Sequence, residues 1–224
     1  METIQHETAV KPPRQTVPVG QICVDATLLF ALFLFLFSPP WHIFSAWSRV
    51  PELGQTVEVR RAVSLLEQLE HPLAPVQDPI HRILQWRLLF PGVGHLLHVP
   101  PVVLLALPYV GAVVALGALL YLARRDGVGR PAAVCGAVLL GASGWFFAST
   151  GWLGYFDSWL VVAMLFTSHA RSRGWVWLSC LLGPWIDERF IIALPLALAT
   201  RWLRRRSVDE QGDAATQLES VRIM

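Results

Sequence analysis

Three consecutive ionised side chains, Asp187-Glu188-Arg189, interrupt an apolar stretch that runs from Trp175 to Ile186 before them and from Phe190 to Ala199 after them. Ionisable groups at membrane depth are costly and are kept for pairing, transport or catalysis. A carboxylate of Asp187 or Glu188 could take a proton from an acceptor hydroxyl, and the planar guanidinium of Arg189 could hold a phosphate through two parallel N–H bonds. The bland counterpart is an internally neutralised bend, with Arg189 paired to Asp157 or Glu188. Asp157, in Gly154-Tyr155-Phe156-Asp157-Ser158-Trp159, adds a third carboxylate among aromatic side chains. It could serve as a base, ligate a metal, or pair with Arg189 or Arg82; a first-turn acid stabilised by the helix dipole is the simpler reading. Arg82 and Arg87 share one short helical segment and could attract phosphate headgroups, as interfacial arginines also do without any enzymatic role. His95 and His98 have a spacing that could place two ligands on one face. No cysteine or H-E-x-x-H context supports zinc, so no metal site is expected.

These residues must be held by helices in a membrane. The 224-residue chain is 54% hydrophobic and 15% charged, against roughly 25% charged residues in soluble domains. Its mean hydropathy is +0.48. Ten Trp and eleven Phe suit aromatic anchoring at lipid interfaces. A net charge of +2 is too small to argue for nucleic acid. Cys23, Cys135 and Cys180 lie in apolar segments and read as small hydrophobes, not as a disulfide or zinc framework. A span needs about 20 apolar residues as helix. Residues 22–37, 102–123, 132–149 and 153–167 are expected to form four spans. Residues 174–202 are too long and too charged for one simple span, and a hairpin bent at Gly183-Pro184 and Asp187-Glu188-Arg189 is favoured over a single tilted helix. The expected architecture is all-α: a polytopic helical bundle over residues 21–206 with four full spans, a helical hairpin, and an outer segment, residues 41–101, of interfacial helices. Residues 1–20 and 207–224 read as polar tails, the latter disordered.

Basic residues set the orientation, because cytoplasmic loops carry the excess of Lys and Arg. Arg124, Arg125 and Arg130, then Arg171 and Arg173, then Arg201 and Arg204 to Arg206 are expected inside, with both termini, in a bacterial plasma membrane. Asp25 either faces the bundle interior or is solvated near the cytoplasmic end of the first span. Within the outer segment, residues 57–69 place Val59, Ala62, Val63, Leu66 and Leu69 on one helical face and Glu58, Arg60, Arg61, Ser64 and Glu67 opposite, as in a helix lying on the membrane surface. Asp78-Pro79 is a helix-start signal. This topology gathers His81, Arg82, Arg87, His95, His98, Asp157 and residues 187–189 on one side.

Three elements also carry a resemblance. His81-Arg82-Ile83-Leu84 leading into Leu88-Leu89-Phe90-Pro91 and on to Val99-Pro100, then Gly154-Tyr155-Phe156-Asp157-Ser158, then Asp187-Glu188-Arg189 before Leu194-Pro195-Leu196, resemble in order a pattern of bacterial multi-pass proteins that look like GT-C-class integral-membrane glycosyltransferases. The resemblance covers residues 78–200. It implies transfer of a sugar from a polyprenyl-phosphate donor at the outer face. Asp157, Asp187 and Glu188 would be the acid–base or metal candidates, and Arg82, Arg87 and Arg189 would bind substrate phosphate. Two departures stand out. Such enzymes carry an acidic motif just after the first span, where this chain has Pro39-Pro40-Trp41-His42 with Glu52 as its first acid, and they are larger. A reduced relative is therefore one expectation. A non-enzymatic membrane subunit with structurally paired charges is a second, and a transporter a third. The expected partners are membrane lipids, a polyprenyl-phosphate lipid among them; no residue set specifies a cofactor.

Overall fold

The computed structural model describes residues 18–37, 56–75 and 82–223, and every regular element among them is helical. The polar stretch before residue 18, the segment from Pro39 to Glu52, and the Asp78-Pro79 signal with His81 lie outside the described residues. The helices are α1 (Val19–Phe37), α2 (Val57–Glu70), a 3-10 turn (Arg82–Trp86), α3 (Leu89–Leu96), α4 (Pro101–Arg125), α5 (Arg130–Gly141), α6 (Gly144–Gly151), α7 (Asp157–His169), α8 (Arg173–Ile186) and α9 (Arg189–Ile223).

Two of these, α1 and α4, are long and apolar enough to cross a membrane. A third span exists if α5 and α6, bent by 63° at their junction, are counted as one. The expected count of four full spans is thus met only by two or three helices. The stretch expected to give the fourth is shorter: α7 has 13 residues and rises about 20 Å, against a hydrocarbon core of about 30 Å. The bend between α5 and α6 follows from Gly141-Ala142-Ser143-Gly144. Gly141 is pressed against the ring of Phe33, so that no side chain fits there, and Phe33 meets Phe146 edge-on at 5.1 Å beyond the break.

The proline and glycine positions explain the helix ends. Pro101 and Pro131 stand in the first turns of α4 and α5, where a missing N–H costs nothing. Gly127 adopts φ 89° after α4, and the Val128 N–H returns to the Ala123 carbonyl at 3.0 Å, closing the helix in the left-handed manner glycine allows. Pro108 interrupts α4. Around it, Ser158 Oγ donates to the Pro108 carbonyl and Trp159 Nε1 to the Leu107 carbonyl, both at 2.8 Å, as backbone in a nonpolar surrounding requires. These bonds pin α7 to α4.

The chain then folds back twice. Arg189, at the start of α9, reaches Asp157 at the start of α7. Arg201, further along α9, donates to the carbonyl of Ala170 just past the end of α7 at 2.6 Å. So α8 runs antiparallel to α7, and α9 returns beside α7 in the same direction. The reversal falls at Asp187-Glu188, which excludes one continuous helix over residues 174–200.

Two expectations are corrected. The tail from Ser207, expected to be disordered, continues α9 as helix to Ile223. The polar face assigned to residues 57–69 is also wrong in part. Arg61, Ser64 and Gln68 of α2 are buried together with Val59, Ala62 and Leu65. The helix packs on α3 and α4, and its Glu58 carbonyl accepts the Leu153 N–H at 2.8 Å. The core beneath it joins Leu65, Leu104, Phe156, Ile186 and Phe190. A second core, with Ile22, Ala26, Phe33, Leu116 and Phe146, holds α1 to α4, α5 and α6.

Candidate functional site

The charged bend is a polar knot at one end of the bundle. Asp187 follows α8 in extended conformation (φ −160°, ψ 128°), and its Oδ1 accepts the Arg189 N–H at 2.9 Å. That bond caps the first N–H of α9, and the next two, of Phe190 and Ile191, go to the Asp187 and Glu188 carbonyls. The same oxygen accepts Arg189 Nε at 2.8 Å, and Arg189 Nη2 bridges Asp187 to Asp157. Arg87 arrives from the 3-10 turn preceding α3. Its Nε and Nη2 donate to the two oxygens of Glu188 at 2.9 and 2.8 Å, and its Nη1 lies 2.8 Å from Asp187 Oδ2. Such two-pronged pairs fix both geometry and charge.

Burial grades the cluster. Asp187 is 1% exposed and Arg87 9%, while Glu188 and Arg189 are nearly half exposed. Asp157 is buried; one of its oxygens is taken by Arg189, and Oδ2 has no hydrogen-bond partner among the described residues. Arg61 of α2 completes the set. It is 1% exposed, and its Nη1 likewise has no partner among the described residues. Burial, followed by the nearby charge of Arg87, pushes its pKa down to about 10, so the guanidinium stays charged at neutral pH. Arg61, Arg87 and Arg189 then balance Asp157, Asp187 and Glu188, three charges against three. Gly154 lets the chain between α6 and α7 lie over Arg61: it has φ 87°, and a Cβ there would stand 3.2 Å from the Ala62 backbone.

Of the six residues singled out in the sequence, five meet here: Asp157, Asp187, Glu188, Arg87 and Arg189. Arg82 is exposed on the 3-10 turn and takes no part in these pairs. Arg61 was placed on the solvated face and is instead part of the cluster. Its signal was the spacing of Arg61, Ser64 and Gln68 at i, i+3 and i+7, a polar stripe that sequence alone cannot tell from a wet surface. His95 Nδ1 lies 2.8 Å from the Leu69 carbonyl. No group of three His, Cys, Asp or Glu among the described residues could hold a metal. Asp25 belongs to the other end, where it is clasped by Arg130 at 2.8 and 3.0 Å. Cys23, Cys135 and Cys180 are free thiols. No protein-family description, curated protein or solved structure matches the chain.

Proposed function

We propose that the chain is an integral-membrane transferase of the GT-C type, reduced in size, that takes a sugar from a polyprenyl phosphate at the outer face. The observation that carries this reading is Asp157, buried with one oxygen held by Arg189 and the other, Oδ2, without a partner among the described residues. In this reading Oδ2 accepts the proton of an acceptor hydroxyl. The acceptor oxygen bonds to the sugar C1 as the bond from C1 to the phosphate oxygen breaks, and the electron pair leaves with the polyprenyl phosphate. Arg189, half exposed, receives that phosphate. Asp187, Glu188 and Arg87 position Arg189 and the bend, and Arg82 is available to a headgroup at the surface.

The outer location rests on the distribution of arginines. Arg124, Arg125, Arg130, Arg201 and Arg204 share the opposite end through their contacts with Asp25, Asp126, Val128, His169 and Ala170, and basic ends face the cytoplasm. The amino-terminal part of α1 and the chain past Arg201 lie at that end too, so both termini are cytoplasmic, in a plasma membrane. A non-enzymatic subunit is the second reading, because all three side-chain nitrogens of Arg87 are already engaged by Asp187 and Glu188, as in a clasp with no chemistry to do.

Thermal unfolding of the purified protein with added polyprenyl phosphate separates the two. A transferase is stabilised by the lipid phosphate and not by the uncharged polyprenol. Arg189→Gln abolishes that response, and Asp157→Asn keeps it while membranes lose sugar transfer from the polyprenyl donor. If the wild-type protein ignores the lipid phosphate, and Asp157→Asn changes only stability, the clasp reading replaces the transferase.

A further inference from the structure

The opposite end of the bundle holds a groove that the transferase reading does not use. It opens between α1, α4 and α7 with a volume of about 550 Å³, and its walls include Ile22, Cys23, Val114, Ala118 and Phe166. Arg125 stands at one end of this apolar lining. From Val113 to Arg125, α4 rises about 18 Å, slightly more than one leaflet of a core about 30 Å thick. Volume over length gives a mean cross-section on the order of 30 Å². A groove of this length and width takes a single hydrocarbon chain along its axis.

The rim is cationic and its bonding is incomplete. Arg125 contacts Asp126 Oδ1 at 3.3 Å and the His169 carbonyl at 3.5 Å, at and beyond the usual limit for N–H···O bonds. The Asp126 oxygen it approaches is shared with Arg204. Ala170, which also lines the groove, has its carbonyl held by Arg201. Arg125 thus shares Asp126 Oδ1 with Arg204 at the point where the apolar groove ends, and neither of its own contacts is shorter than 3.3 Å.

We propose that this groove binds one chain of an anionic phospholipid from the leaflet on the arginine side, with the lipid phosphate on Arg125. Apolar walls of one-leaflet length take the chain, and the unsaturated guanidinium at the rim takes the charge. The site is separate from the acid–arginine cluster and stands whether or not that cluster is catalytic.

Native mass spectrometry of the full chain, released from detergent with equal amounts of phosphatidylglycerol and phosphatidylcholine, tests the assignment. One phosphatidylglycerol is expected to be retained in preference to phosphatidylcholine. Arg125→Gln should weaken that preference about fivefold, as loss of one cation beside an anionic headgroup implies. Val114→Trp with Ala118→Phe fills the groove without touching an arginine and should abolish retention of both lipids; this pair decides the matter if Arg125→Gln does not fold. Equal retention of the two lipids, retention that survives the filled groove, or a second copy of the chain in place of lipid would each overturn the proposal.

Discussion

The bundle has two charged ends built to opposite plans. At one, Arg61, Arg87 and Arg189 meet Asp157, Asp187 and Glu188 in a neutral set whose inner members are almost wholly buried. At the other, the described arginines outnumber the acids, Arg124, Arg125, Arg201 and Arg204 are half-buried and Arg130 is exposed, and the guanidiniums of Arg124 and Arg201 cap backbone carbonyls. In a buried set, removing one partner leaves an uncompensated charge, and the cost is several kcal/mol. In an exposed set water replaces the missing partner, and most surface pairs are worth about 1 kcal/mol or less. The first end is therefore specific and fragile, suited to holding a defined geometry. The second is tolerant, suited to setting orientation and attracting anionic lipid.

Asp187→Ala is the sharpest test of that contrast. It strips Arg87 and Arg189 of their shared acid and removes the cap on α9 at once. We expect a loss of roughly 3–5 kcal/mol in denaturant unfolding of the detergent-solubilised protein. Adding Arg87→Met should recover part of it, since the stranded cation goes too. A loss of less than about 1 kcal/mol would place this end in the same class as a surface pair.

The two left-handed glycines compare the ends at the level of backbone. Gly154 and Gly127 have φ of 87° and 89°, so alanine at either carries the same conformational strain, of order 1–2 kcal/mol. Only Gly154 faces a close neighbour, the α2 backbone over Ala62; around Gly127 there is open space. Gly154→Ala should therefore cost more than Gly127→Ala in thermal unfolding, and it should also disturb Arg61 beneath it. Equal costs would mean that the strap over α2 yields freely.

Much of the first end was legible in the residues themselves. Charges inside an apolar run announce a polar site, and a pair of Asp157 with Arg189 is one of the alternatives their types allow. The reversal at Asp187-Glu188 followed from counting arginine loops. What the sequence could not convey was tertiary. Whether α2 lies on lipid or packs on the bundle turns on which face meets a neighbour, and the stripe of Arg61, Ser64 and Gln68 fits either until α3 and α4 are in place. The number of spans is met only in part for a related reason. Hydropathy measures how apolar residues 132–149 and 153–167 are. It does not register that Gly141 must yield to Phe33, or that Gly154 breaks the chain before α7.

The smallest expected effect lies at the second end. His169, at the end of α7, has its pKa lowered first by burial and then by the charge of Arg204, with Arg125 adding to it and Asp126 opposing. Its folded value therefore lies below the unfolded one, near 6.5, and the unfolded state binds more protons between the two. Stability then rises with pH in that interval: the contribution is complete above about pH 6.5 and is lost as pH falls through the folded value. Because His169 is only partly shielded and salt screens the arginines around it, the loss on acidification should be slight. His169→Gln should remove it, and Arg204→Gln should narrow it by taking away a repelling charge. If thermal unfolding between pH 5 and 7 is unchanged by His169→Gln, the second end is not sensing protons through this ring, and the surplus of arginine acts there as a fixed charge alone.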